Sequence, residues 1–85
     1  MSEIQDFFKI DGKNVVICTY YDGDFMAARS ISVFDERNNV TKITKFSMTR
    51  TTQCFNSNPV SPVFMINEEI DERFLKRGNR VELAL

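Results

Sequence analysis

The sequence predicts an α+β, β-dominated fold: a small antiparallel meander or partly open barrel of about five to six strands, with one short C-terminal helix before a final strand. The large apolar residues are mostly Phe (8), Ile (7) and Val (7), against three Leu and three Ala. Branched and aromatic side chains suit a pleated surface, whereas Ala and Leu favour helices. Turn chemistry recurs between short apolar runs, and only one segment carries both start and stop signals of a helix. At 85 residues the chain is expected to be a single domain, 1–85, burying roughly 60% of the surface its unfolded form exposes.

Asp11-Gly12-Lys13-Asn14 separates Phe7-Phe8-Lys9-Ile10 from Val15 to Tyr21, and Asp22-Gly23 follows at once. Asp-Gly supplies the positive φ of a tight hairpin, so two consecutive hairpins are expected. Val15, Ile17 and Tyr21 alternate with Val16, Cys18 and Tyr20, which predicts a central strand covered on both faces. Phe25 to Phe34 reads as the third strand, with Phe25, Ala27, Ile31 and Val33 on one side and a wetter face opposite.

Asp35-Glu36-Arg37-Asn38-Asn39 is a third turn, and Val40 to Cys54 reads as a long Thr-rich strand. Its apolar residues Val40, Ile43, Phe46 and Met48 change phase, which predicts a bulge or bend near Thr44-Lys45. Pro59 and Pro62 interrupt pairing in a loop, and Val63 to Ile66 is a short strand. The helix is expected from Asn67 to Arg77: Asn67 as N-cap, Glu68, Glu69 and Asp71 at the positive end, Lys76 and Arg77 at the other, Gly78 beyond. Ile70, Phe74 and Leu75 are its buried stripe. Arg80 to Leu85 alternates as the last strand, and the spacing from Ile66 allows a right-handed crossover that would set the last two strands parallel.

Eleven Lys and Arg nearly balance twelve Asp and Glu, for a net charge of −1, so no global field draws the protein to nucleic acid or an anionic membrane. No apolar run reaches the roughly 18 residues of a membrane span, and Met1 to Asp6 lacks signal-peptide character, so a cytoplasmic location and no membrane association are expected. The chain has no His, which removes the commonest general base and metal ligand. No phosphate-binding glycine motif is present. Asp22, Asp24, Asp35 and Glu36 sit where turns already require acids. Cys18 and Cys54 have no neighbour that would activate a thiol and are expected to act as small apolar residues in a reducing compartment. No enzymatic activity, catalytic residue, metal or cofactor is therefore expected.

Residues 40–58 carry Lys42, Lys45 and Arg50 and no acid. With Phe46, Phe55 and Arg29, this span has the ingredients of a single-strand nucleic-acid grip, charge plus stacking aromatics. The plainer reading is an edge strand protected by its lysines. Tyr20, Tyr21 and Phe25 flank Asp22-Gly23 as partner anchors or, more simply, as caps on the core. The expected function is a small non-catalytic interaction module, a regulator or inhibitor that docks on a larger protein partner and self-associates as a homo-oligomer. The alternative is a single-stranded nucleic-acid-binding β-barrel, and the third reading a small-ligand binder.

Overall fold

A computed structural model describes residues 2–19, 25–50 and 61–85. The protein is β-dominated and antiparallel throughout. Its strands are β1 (Ser2–Ile10), β2 (Lys13–Cys18), β3 (Ser30–Phe34), β4 (Val40–Ile43), β5 (Phe46–Arg50), β6 (Pro62–Ile66) and β7 (Arg80–Ala84). They form one seven-stranded sheet in the order β4-β3-β7-β1-β2-β6-β5. Among the described residues, single 3-10 turns at Phe25–Ala27 and Glu72–Phe74 are the only helical pieces.

The seventh strand arises where the sequence pattern changed phase. The strand expected from Val40 divides into β4 and β5, with Thr44 and Lys45 as the corner. Its two halves are the opposite edges of the sheet, so the sheet coils until its edges meet through two residues. The bent backbone leaves two amides without ladder partners. Glu68 supplies the acceptor: its Oε2 takes the N–H of Thr44 at 3.1 Å and of Lys45 at 2.8 Å. Asn67 N–H donates to Lys45 O at 2.8 Å, closing the corner from the other side.

The first hairpin forms as its Asp-Gly requires. Asp11 (φ 51) and Gly12 (φ 79) both take positive φ, the two-residue turn whose twist matches its strands. The register then places Phe7, Val16, Phe64 and Met48 in one row across β1, β2, β6 and β5. Val16 and Phe64 in that row are wholly buried. On the other half, Ile31 faces Ile43, and Val33 faces Val81. These residues join Ile4, Cys18, Ile66, Phe74 and Leu75 in one core, enclosed by the coiled sheet.

Five expectations are corrected. The second of the two consecutive hairpins does not form: β2 lies between β1 and β6, whereas β3 pairs with β4 and β7 on the other half of the sheet. The helix from Asn67 to Arg77 is absent. Asn67 N–H serves the corner, Glu68 turns to the same corner, and Asp71 instead caps the single 3-10 turn, accepting from Arg73 N–H at 3.0 Å. A segment this short is marginal as a helix without a broad apolar face, and these tertiary bonds outcompete its ladder. Its stripe is nonetheless inward: Phe74 and Leu75 are buried, and Ile70 packs on the core. The strand count is seven rather than five to six, because of the corner. The last two strands are not parallel neighbours, since β7 enters between β3 and β1, antiparallel to both. The segment starting at Phe25 is a 3-10 turn before it becomes β3, its Arg29 N–H held by Ala84 O at 2.6 Å.

β1 also begins earlier than its apolar run suggests. Ser2 is fully buried, and its Oγ donates to Thr19 O at 2.9 Å. Glu3 N–H donates to Thr19 Oγ1 at 2.9 Å and Glu3 O accepts from Thr19 N–H at 2.8 Å, so a polar start becomes strand through several long-range hydrogen bonds to Thr19 and the burial of Ile4.

Candidate functional site

Two consecutive Phe in a strand cannot both face the core, because successive side chains point to opposite faces. Phe8, on the face opposite the Val16–Phe64 row, shows the consequence at 43% exposure; Phe7 stands at the open end of that buried row and is itself 37% exposed, with Ile10 at 45% beyond them. Beside them runs a groove of about 500 Å³ lined by Phe7, Phe8, Lys9 and Asn14 on one wall and Glu72, Arg73, Leu75 and Lys76 on the other.

The second wall is the 3-10 turn and the residues after it, held by specific bonds. Asn79 is buried, and its Nδ2 donates to Phe74 O at 2.8 Å and Arg73 O at 3.3 Å. Gly78, at φ 92, donates its N–H to Ile4 O at 2.9 Å. Arg77 Nη2 reaches Asp6 Oδ1 at 3.1 Å. Phe7 N–H donates to the same Oδ1 at 2.8 Å. That amide, followed by the Arg77 guanidinium, holds the Asp6 carboxyl below its ordinary range. The far wall of the groove is therefore tied to β1 on either side, through Gly78 to Ile4 and through Arg77 to Asp6.

Its charge differs from that of the molecule. Lys9, Arg73 and Lys76 line it with Glu72 as the one acid, although the chain as a whole is slightly negative. Arg73 Nε lies 3.4 Å from Asp71 Oδ2, and its guanidinium sits 5.2 Å from the Phe74 ring centre. Lys9 and Lys76 have no ion pair among the described residues. A second hollow, of about 180 Å³, lies across Arg73 and Lys76 against Asp35, Glu36, Arg37 and Asn39.

Most residues singled out from sequence lie elsewhere. Lys42 is exposed on β4, Lys45 is exposed at the corner, and Arg29 is exposed just before β3. Lys45 and Arg29 both lie beyond the Ile31–Ile43 pair, so these cations share one end of the β3–β4 ladder. Phe46 is half-buried against the core rather than displayed beside them, and Arg50 ends β5. Phe25 is buried in its 3-10 turn. Tyr20, Tyr21, Phe55, Cys54, Asp22 and Asp24 lie outside the described residues.

Asp35 is consumed by its turn, accepting from the N–H groups of Arg37 and Asn39 at 2.9 Å each and from Asn39 Nδ2 at 3.0 Å. These bonds, that of the Asn39 side chain foremost, hold its carboxyl below the ordinary range. Cys18 is a free, fully buried thiol, and desolvation pushes its pKa up to about 12. A thiol so held is neutral and a poor nucleophile.

The groove residues were missed because each had a local explanation. Arg73 and Lys76 fitted a helix, and Phe7 and Phe8 fitted a strand. The signal that could have found them is the Phe-Phe pair itself, which obliges one ring to face outward. No protein-family model matches the chain, and no curated protein or solved structure shows significant similarity to it. Among the described residues, no helix is long and apolar enough to cross a membrane.

Proposed function

We propose that this chain is a non-catalytic interaction module, a regulator or inhibitor type of protein, that docks a larger protein partner on the groove between the second half of β1 and residues 72–76. The observation that carries this reading is the exposure of Phe7, Phe8 and Ile10 in four successive positions beside that groove. Aromatic side chains, Phe among them, are enriched at protein interfaces, where a few well-packed anchors carry most of the binding free energy. The chemistry of the remaining side chains supports it: the chain has no His, and burial holds the Cys18 thiol neutral.

The single-strand nucleic-acid reading draws less support. It keeps the exposed Lys42, Lys45 and Arg29, but the ring of Phe46 packs inward, and stacking requires a displayed ring. A small-ligand reading rests on the groove volume, which falls within the range of ligand sites.

The test is capture by chemical cross-linking, comparing the unaltered chain with Phe8→Ser and with Val40→Ser. Val40 is 55% exposed on β4 and serves as a surface control. A discrete protein retained by the unaltered chain and by Val40→Ser, and lost from Phe8→Ser, is the expected result. Retention that ignores Phe8, or salt-sensitive retention of oligonucleotide instead, contradicts the proposal.

A further inference from the structure

The strand order hides an opening in the sheet. β7 pairs with β1 only at Ser2 and Glu3. Ile4 then exchanges bonds with the chain just before β7, its N–H to Asn79 O and its C=O from Gly78 N–H, both at 2.9 Å. Past Ile4, β1 is paired with β2 alone, and its other side faces the groove.

Which backbone groups it presents there follows from the hairpin. A two-residue turn with positive φ at both positions closes on a hydrogen-bonded pair, here Ile10 with Lys13, and bonded pairs alternate from that point. Phe8–Val15 and Asp6–Ile17 are then the bonded pairs, while Phe7 and Lys9 aim their backbone away from β2. The bond of Phe7 N–H to the Asp6 carboxylate rather than to a strand agrees with this assignment. The irregularity between Ile4 and Asp6 restores the phase at which Ile4 bonds to Asn79. Phe7 C=O, Lys9 N–H and Lys9 C=O therefore lie along the groove, with no partner among the described residues.

An open strand edge is a template for another strand. We propose that the occupant is an extended acidic segment of the partner protein, which adds to β1 at Phe7 to Ile10 and sets its carboxylates on Lys9, Arg73 and Lys76. This rests on the docking reading above and specifies how the partner binds and its chemistry. Four positions of strand span about 13 Å, so a segment of four or five residues fills the edge between the Asp6–Arg77 pair and the hairpin turn.

The charge decides the partner. A second copy joined by a two-fold axis would lay this patch on itself, since such an interface uses the same surface twice. Lys9, Arg73 and Lys76 would then face the same set of cations on the other copy. An acidic segment meets the same three cations with attraction, and its apolar side chains cover Phe7, Phe8 and Leu75.

The experiment titrates the full chain into a labelled peptide of alternating glutamate and valine, read by fluorescence anisotropy. Two further probes carry N-methyl groups on the amides of either the glutamates or the valines, and a fourth replaces glutamate by lysine. The acidic peptide is expected to bind, with affinity falling as salt rises. One N-methylated set is expected to lose about tenfold or more, since only one set of amides can face the edge. Lys9→Glu and Lys76→Glu are each expected to weaken the acidic peptide severalfold and to improve the lysine peptide. No binding, equal binding of both methylated probes, or equal binding of the lysine probe overturns strand addition. So does a concentration-dependent dimer, measured by sedimentation, that Lys9→Glu strengthens or leaves unchanged. If strand addition fails while a Phe8-dependent partner is captured, the docking reading stands alone. If the peptide binds as described but no captured partner depends on Phe8, the docking reading is the one that fails.

Discussion

Replacing Asn79 by Ala tests how the far wall of the groove is held. The side chain is 8% exposed and donates through Nδ2 to Phe74 O at 2.8 Å and Arg73 O at 3.3 Å. The first bond is short and buried, and the second is at the long limit of a hydrogen bond. Alanine leaves the Asn79 backbone bonds in place, its N–H to Lys76 O at 3.2 Å and its C=O from Ile4 N–H at 2.9 Å. The loss is then one good bond, one weak one and a buried carbonyl without a donor, together about 2 kcal/mol. For a domain of this size, that corresponds to a fall in Tm of roughly 8–16 °C. Urea and thermal unfolding followed by circular dichroism would measure it. Asn79→Asp is expected to cost more, because a carboxylate would face the two carbonyls that the amide now serves. A loss under about 0.5 kcal/mol for Asn79→Ala would refute the assignment of the turn to this side chain.

Three further outcomes follow from the same geometry. Gly12→Ala meets no steric obstacle, since nothing lies within 4 Å of the added carbon, yet at φ 79 it is expected to cost about 1–2 kcal/mol in denaturant unfolding from backbone strain alone. Cys18 is expected to resist a thiol reagent until the protein unfolds. Below its ordinary 9.0 both states are protonated; above it the unfolded thiol ionises while the native one stays neutral to about 12, so stability falls across that window by up to about 4 kcal/mol. Cys18→Ala is expected to flatten that part of the stability profile against pH. Glu68 has the opposite sign: the Lys45 and Thr44 amides hold its pKa below 4.5, so its contribution is complete above the unfolded value and is lost as pH falls through the folded one. Glu68→Gln is expected to lower stability at neutral pH and to reduce its acid dependence, read from urea midpoints at several pH values.

Local chemistry made much of the sheet legible. The Asp11-Gly12 turn, the Asp35 turn and the bend at Thr44-Lys45 each follow from residues close in sequence, and each is present. The helix failed because its signals were real but already engaged: Glu68 caps the corner, Asn67 bonds to Lys45, and only Asp71 is left to cap one turn. Such competition is invisible until residues 24 positions apart meet. The position of β7 was equally hidden, since its alternation fixes a face but not a neighbour. The groove depends on both failures, because its far wall is the segment expected to be helix and its open edge exists where β7 leaves β1.

The orientation of the Lys9 amide is the most direct measure of whether β1 offers an edge to a partner. Amide hydrogen exchange by NMR separates it from its neighbour: Phe8 N–H is engaged with β2, whereas Lys9 N–H faces the groove. In the free protein, Lys9 is expected to exchange at least tenfold faster than Phe8, and saturation with the glutamate-valine peptide is expected to slow Lys9 to the range of Phe8. A Lys9 amide already protected in the free protein, or one whose exchange the bound peptide leaves unchanged, would contradict the strand-accepting groove.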